Sequence, residues 1–368
     1  MRIQVEQRDL SKGTNIVQKG ISSKTTLPIL DGILIETKND KIKLTGTDLD
    51  IGIETYVKAD ILEEGSIVVN SKIFRDIVRM LPNAPIDIKV VDNNINIVCE
   101  NTEFNLVGNP ANEFPELPTL IDKLSFNIPR DLFKESIRQT VFATTQDETR
   151  PILTGVLLEI VKGQVSFVAL DGYRLALRNI NIESSEDVKI VIPSRTLNEL
   201  TKILEDDEED LKITLAPGHI IFDIGETLVF SRLLEGQFLN YRDIIRNDHK
   251  TKLIVDKKLL QDSLGRASLL AREEKANLVK LNISNDKIVI KSNSEIGNVY
   301  EELLVDLEGE DLNIAFNSRY ILDGIKVIDS EELELYFMGS LNPCIIKPAG
   351  VDNYTYLVLP VRLAQEDY

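Results

Sequence analysis

Ile67-Val68-Val69-Asn70-Ser71-Lys72-Ile73-Phe74 returns as Ile190-Val191-Ile192-Pro193-Ser194-Arg195-Thr196-Leu197 and again as Ile314-Ala315-Phe316-Asn317-Ser318-Arg319-Tyr320-Ile321. Each copy is a short apolar run, which favours a strand, followed by Ser, a basic residue and helical spacing. The three serines stand 123 and 124 residues apart. Pro28-Ile29-Leu30-Asp31-Gly32-Ile33-Leu34-Ile35-Glu36 recurs as Pro151-Ile152-Leu153-Thr154-Gly155-Val156-Leu157-Leu158-Glu159, again at 123. Periods of ~20–50 residues mark solenoids, whereas a unit of this length closes its own core. The 368 residues therefore read as three copies of one domain. Pro115, Pro118 and Asp122, then Asn247 and Asp248, interrupt the periodic text, so the expected domains are 1–122, 123–249 and 250–368.

Alternation of apolar and polar residues predicts strands at Lys41–Thr45, Ile86–Val90, Lys212–Leu215 and Lys287–Lys291, with turns at Asp92-Asn93-Asn94, Pro217-Gly218 and Asn285-Asp286. Helical spacing covers 8–20 and 71–81, 130–143 and 194–204, and 256–272 and 318–328. The fold class is α+β, each unit combining antiparallel strands with two helices.

With 43% hydrophobic residues the chain is globular. Charged residues at Arg2, Glu6 and Arg8 stand where a signal peptide needs an apolar stretch, and no apolar run approaches the ~18 residues of a membrane span. A cytoplasmic protein with no membrane partner is expected. Cys99 and Cys344 lie far apart in strand-like text and read as buried thiols, not as a disulfide or a metal site.

A net charge of −18, taken whole, argues against nucleic acid as a partner. The average hides a segregation. The six helical stretches carry +2, +2, +1, +1, +2 and +1, a total of +9, which leaves −27 for the strands and loops. Several basic residues lie three, four or seven apart, on one helical face opposite the aliphatic one. Solvation alone accounts for basic residues on any single helix; six helices of one sign in a chain of the other sign point to a shared use.

Thr25-Thr26-Leu27-Pro28-Ile29-Leu30, Leu44-Thr45-Gly46-Thr47-Asp48-Leu49, Asp171-Gly172-Tyr173-Arg174-Leu175-Ala176 and Tyr356-Leu357-Val358-Leu359-Pro360-Val361-Arg362-Leu363 resemble the sliding clamp family, the beta subunit of bacterial DNA polymerase III. The resemblance spans all three units in order. It implies three clamp domains per chain and a head-to-tail homodimeric ring with helices lining the hole. It also implies a processivity factor without catalytic residues or cofactors, whose partners are double-stranded DNA, the replicative polymerase, the clamp loader and other clamp-binding peptides. Basic helices around a channel would hold duplex phosphates without reading bases. On that basis Lys12, Lys24, Lys72, Arg75, Arg79, Arg138, Arg195, Lys202, Arg266 and Lys326 are the expected DNA contacts.

Two further sites follow from the resemblance. At the dimer seam Phe104 and Leu106 would meet Leu269 and Leu270, with Lys72 near Glu301 and Glu302. Between the second and third domains a client-peptide pocket would be walled by Arg150, Ile152, Leu153, Leu170, Gly172, Tyr173, Arg174, Leu175, Leu239, Ile244, Pro343, Leu357, Leu359 and Val361. From the residues alone, private core packing is the competing reading of these aliphatic side chains. Leu239-Asn240 replaces the family's usual Pro-Asp, and Ala364 to Tyr368 extend past its usual terminus; both changes would reshape the pocket's mouth.

An enzyme has little to work with here. His219 and His249 are the two histidines, neither belongs to a nucleophile motif, and no phosphate-binding glycine loop is present. Asp48 with Asp50, and Asp171 beside Arg174, read as turn formers, and Glu205 to Asp210 as a solvated acidic loop. An acidic scaffold that binds proteins but does not encircle DNA is the alternative to the clamp.

Overall fold

All three copies of the opening text fold as a strand running straight into a helix: Ser66–Asn70 into Ser71–Met80, Val188–Pro193 into Ser194–Thr201, and Leu312–Asn317 into Ser318–Lys326. In the first and third the residue before the serine caps the helix. Asn70 accepts from the Ile73 amide at 3.0 Å, and Asn317 from the Arg319 amide at 3.0 Å. Pro193 holds that place in the second.

The computed structural model of the chain describes residues 1–22, 27–118, 124–183, 186–207, 209–246, 248–273 and 276–362. The first repeat runs β1 (Arg2–Glu6), α1 (Gln7–Val17), β2 (Gly32–Lys38), β3 (Lys41–Thr47), β4 (Ile51–Lys58), β5 (Asp60–Glu63), β6 (Ser66–Asn70), α2 (Ser71–Met80), β7 (Pro85–Val91), β8 (Asn94–Cys99) and β9 (Thr102–Val107). The second runs β10 (Leu124–Pro129), α3 (Arg130–Thr140), β11 (Gly155–Val161), β12 (Gln164–Leu170), β13 (Arg174–Asn181), β14 (Val188–Pro193), α4 (Ser194–Thr201), β15 (Asp210–Ala216), β16 (His219–Asp223) and β17 (Thr227–Arg232). The third runs β18 (Thr251–Asp256), α5 (Lys257–Ala271), β19 (Leu278–Ser284), β20 (Lys287–Ser294), β21 (Gly297–Leu304), β22 (Asp306–Gly309), β23 (Leu312–Asn317), α6 (Ser318–Lys326), β24 (Glu332–Phe337), β25 (Cys344–Pro348) and β26 (Tyr354–Val358). All six predicted helices and the four predicted strands are present.

The hairpin turns follow from backbone chemistry. Asp92, Asn285 and Asp286 take φ values of 52°, 52° and 55°, left-handed conformations that Asn and Asp tolerate and tight hairpins require. The Pro-Ile-Leu repeat folds alike in both places, as a 3-10 turn leading into β2 and into β11. Gly155 opens β11 because a Cβ there would stand 2.6 Å from the Ile192 carbonyl of the paired strand.

Compactness divides the chain differently from the repeat. One unit is Met1–Phe133 with Arg195–Leu233, and the other is Lys134–Ser194 with Leu234–Tyr368. The reason is that the sheets do not stop where the repeats do. In the first unit an eight-stranded sheet runs β10-β15-β16-β17-β4-β3-β2-β6, beside a five-stranded sheet β5-β1-β7-β8-β9. In the second a nine-stranded sheet runs β14-β11-β12-β13-β26-β25-β24-β18-β22, beside a four-stranded sheet β21-β20-β19-β23.

The two joints between repeats share one register. β17 lies antiparallel to β4 with Thr227 opposite Thr55 and Val229 opposite Ile53. β26 lies antiparallel to β13 with Tyr354 opposite Arg178 and Tyr356 opposite Ala176, at offsets of 127 and 123 residues from the first joint. β9 and β21, the corresponding strands without such a partner, are sheet edges.

Cys99 and Cys344 are buried and free, and burial pushes both thiols above their usual range. Among the described residues no helix is long and apolar enough to cross a membrane, and no group of three or more His, Cys, Asp or Glu is placed to hold a metal ion.

Candidate functional site

The turn that ends β12 is built by Asp171. Its Oδ1 accepts from the Tyr173 amide at 2.9 Å and the Arg174 amide at 3.1 Å, while Gly172 takes φ 95°. Asp48, 123 residues earlier, does the same for the Asp50 and Ile51 amides at 3.2 and 3.0 Å. Both carboxylates are therefore turn formers, as their sequence context suggests.

Arg174 starts β13 from this turn and is largely buried. Its Nε donates to Asp171 at 3.0 Å, Nη1 to Asp323 on α6 at 2.8 Å, and Nη2 to the Phe142 carbonyl at 2.9 Å. The guanidinium carbon lies 4.7 Å from the Tyr320 ring centre and 5.5 Å from that of Phe142. Burial works against its charge, but Tyr356, Asp323 and Asp171 hold its pKa above the usual arginine value. Tyr173 stacks on Tyr320 with ring centres 6.0 Å apart.

Around that turn the structure gathers most of the expected pocket residues. Leu153, Leu170, Leu175 and Leu357 are buried in one cluster with Leu177, Phe238, Tyr241 and Ile345, with Ile152 packed against it. Above this floor Tyr173 is 60% exposed, Leu239 50%, Ile244 38% and Leu359 37%. Ile244, Pro343 and Leu357 line a cavity of about 290 Å³ together with Arg246, Tyr336, Met338 and Asn342. Arg150 and Gly172 are exposed, and a Cβ on Gly172 would come 3.6 Å from the Arg150 guanidinium. Backbone bonds tie in the last segment: the Leu359 amide donates to Tyr173 O and the Val361 amide to Ala315 O, both at 2.8 Å.

Tyr336, Met338, Arg246 and Asn342 were missed by sequence reasoning. For Tyr336 a signal existed, since β24 alternates and sets a tyrosine on the same face as Glu332 and Glu334. Its hydroxyl donates to Glu334 at 2.5 Å, and burial, followed by that carboxylate, raises its pKa. The other three sit in connecting segments that carry no periodicity.

Of the expected seam residues, Phe104, Leu106, Glu301 and Glu302 lie on two edge strands, Lys72 on α2, and Leu269 and Leu270 on α5. Phe104 and Leu106 occupy the half-buried face of β9, so neither is private core. On the same unit Ile73 and Met80 of α2 and Val107 of β9 are exposed apolar residues that the sequence reading passed over. On β21, Glu301 accepts from Arg266 at 2.7 Å and from the Ser263 hydroxyl at 3.2 Å, and Glu302 pairs with Lys287 at 2.7 Å. The Arg266 hydrogen bond is the main cause that lowers the Glu301 pKa. Leu269 on α5 is 62% exposed and Leu270 half-buried.

The basic helix residues come with acidic neighbours. Lys12 pairs with Glu205 at 2.7 Å, Arg75 with Asp76 at 3.0 Å, Arg79 with Asp76 at 3.7 Å and Lys202 with Glu199 at 2.7 Å. Arg138 pairs with Glu135 at 2.6 Å and also with Asp329; Arg195 pairs with Asp48. Lys72 and Lys326 are exposed and have no ion-pair partner among the described residues. Lys24 lies outside the described residues. The acidic loop is less free than its composition implies, because Asp207 and Glu209 clamp the buried Arg130 at 2.8 and 3.0 Å.

Profiles of the three domains of the DNA polymerase III beta subunit match this chain in order: the N-terminal domain over residues 1–118, the central over 127–240 and the C-terminal over 242–362. The beta sliding clamp of Bacillus subtilis is 39% identical over 376 residues, covering 98% of this chain and all of that protein. That of Halalkalibacterium halodurans is 38% identical over 378 residues, with 98% and 100% covered. The crystal structure of the DNA polymerase sliding clamp from Bacillus subtilis superposes with a TM-score of 0.96, covering 99% of this chain and 100% of that one.

Proposed function

The chain belongs to the DNA polymerase III beta subunit family, the sliding clamps, and on that premise we propose that two copies close head to tail into a ring around duplex DNA. A sliding clamp is a processivity factor and not a catalyst.

The joint between repeats carries the proposal. β17 closes on β4 and β26 on β13 in one register, which leaves β9 of the first repeat and β21 of the third, each an edge of its own sheet, as the unused halves of a third joint. Exposed edges seek partners, and a complementary pair on one chain is satisfied by a second copy. Carrying the register over, at 125 residues from β9 to β17 and 123 from β13 to β21, sets Thr102 opposite Glu301, Phe104 opposite Val299 and Asn105 opposite Asn298. Leu106 and Phe104 then meet Leu269 and Leu270 of the other copy, and Lys72 approaches Glu301 and Glu302.

Within the ring, domains 1–122, 123–249 and 250–368 present their basic helices to phosphates, the acidic remainder keeps nucleic acid off the outside, and topology supplies the residence time. The Leu170, Tyr173, Leu357 and Leu359 pocket receives short peptides of the replicative polymerase, the clamp loader and other clients. Such a clamp works in the cytoplasm.

Cysteine cross-linking tests the joint. Asn105→Cys with Asn298→Cys should give an interchain disulfide, because opposed Cα atoms in an antiparallel pair lie roughly 4.5–5.5 Å apart. Asn105→Cys with Tyr300→Cys, two positions out of register, should not. The reverse pattern, or equal yields, contradicts the proposed seam.

A further inference from the structure

We propose that Asp323, which stands on helix α6 and is not part of the peptide pocket, is a positioning residue for peptide binding that acts through Arg174. The proposal rests on the pocket reading above. Arg174 was expected to face the ligand, but each of its three nitrogens already donates a hydrogen bond, to Asp171, Asp323 and the Phe142 carbonyl, and the rings of Tyr320 and Phe142 lie close to it. It is placed to hold the turn.

What the turn holds is the pocket's mouth. Tyr173 donates its amide to Asp171, stacks on Tyr320 and accepts the Leu359 amide on its carbonyl. Tyr173 and Leu359 are the exposed apolar residues at that edge. Freeing Arg174 from α6 lets the turn move and carries both with it.

The repeat supplies an independent instance. In the first unit the corresponding turn is clamped to a helix by another pair, Asp48 to Arg195 on α4. The residues differ, yet the turn-to-helix tie is kept. That persistence marks the tie itself as a requirement of the joint.

A fluorescein-labelled peptide from the replicative polymerase, titrated by anisotropy, tests this with wild type, Asp323→Asn, Asp323→Glu, Arg174→Lys, the Asp323→Asn/Arg174→Lys double variant and Leu359→Asp, each checked for folding by circular dichroism. Asp323→Asn should weaken binding about tenfold, and the double variant should be no weaker than the poorer single one, because both break one tie. Asp323→Glu, which keeps the carboxylate, should recover most of the affinity. Wild-type affinity for Asp323→Asn, or losses that multiply in the double variant, would overturn the proposal while Leu359→Asp still abolishes binding. If Leu359→Asp binds as wild type, the pocket reading fails and takes this proposal with it.

Discussion

The hydroxyls of Thr55 and Thr227 lie 2.8 Å apart, buried where the first repeat joins the second. At the same register position the second joint sets Arg178 opposite Tyr354. The proposed third joint sets Glu301 opposite Thr102, a carboxylate facing a hydroxyl. Polar residues thus face each other at each place, bonded across the first joint, while at the second the Tyr354 hydroxyl donates to the Gln139 carbonyl instead.

The seam should fail when a charge enters its apolar part. Leu270→Asp is expected to give monomers in sedimentation at micromolar concentration while wild type stays dimeric, since an unpaired buried carboxylate is strongly unfavourable. A monomeric wild type, or a dimeric variant, speaks against it.

Replacing Arg75, Arg79, Arg138 and Lys202 together by Ser should leave dimerisation intact and make the dependence of log K on log salt shallower by at most about 7, from ~0.9 per phosphate contact over the four positions of both copies. The full amount is an upper bound because each of these residues already has an acidic neighbour. An unchanged salt slope removes them from the DNA contacts.

Glu159 anchors the floor of the peptide pocket. It accepts from the Tyr241 hydroxyl at 2.8 Å and from Arg242 at 2.6 Å, with Lys189 at 3.5 Å. Burial disfavours its charge, but the bonds from Arg242 and Tyr241 outweigh that and lower its pKa below the usual 4.5. A lowered carboxylate pKa stabilises the fold above the unfolded value, and the contribution is lost as pH falls through the folded value. Glu159→Gln should therefore cost about 1.5–3 kcal/mol at neutral pH, with the gap to wild type narrowing below about pH 4. Urea unfolding followed by circular dichroism at the two pH values measures it; a gap independent of pH contradicts the assignment.

Gly324 on α6 faces the Tyr356 ring, which occupies the space a Cβ would need. Gly324→Ala should destabilise by about 1–3 kcal/mol despite alanine's better helix propensity. A rise in melting temperature would show that the helix can shift freely, against the tight α6–β26 packing.

Leu359→Asp is expected to abolish binding of a polymerase-derived peptide while the dimer persists, with wild-type affinity near micromolar, roughly −8 kcal/mol. Removing Ala364 to Tyr368, which lie outside the described residues, should change the affinity without abolishing it. Anisotropy titration decides both.

Local chemistry made much of this legible in the sequence. The strand-to-helix copies, the hairpin turns and the Asp48 and Asp171 turns depend on neighbours a few residues away, so their text predicts their shape. The ties that set the site do not. Lys12 meets Glu205, and Arg174 meets Asp323, across separations of 193 and 149 residues that no periodic pattern records. Counting helix charge revealed the sign segregation but not the carboxylates paired with it. Phe104 could be read as core or surface, and only its half-buried position in the folded β9 separates the two.

Retention on DNA of defined topology tests the ring most directly. The protein is loaded onto nicked circular DNA, passed through a gel-filtration column at a salt concentration that screens phosphate contacts, and compared with the same complex after the circle is cut once. The ring account predicts that the protein stays with the circle and is lost from the linear form. Equal retention on both, or equal loss from both, would contradict it.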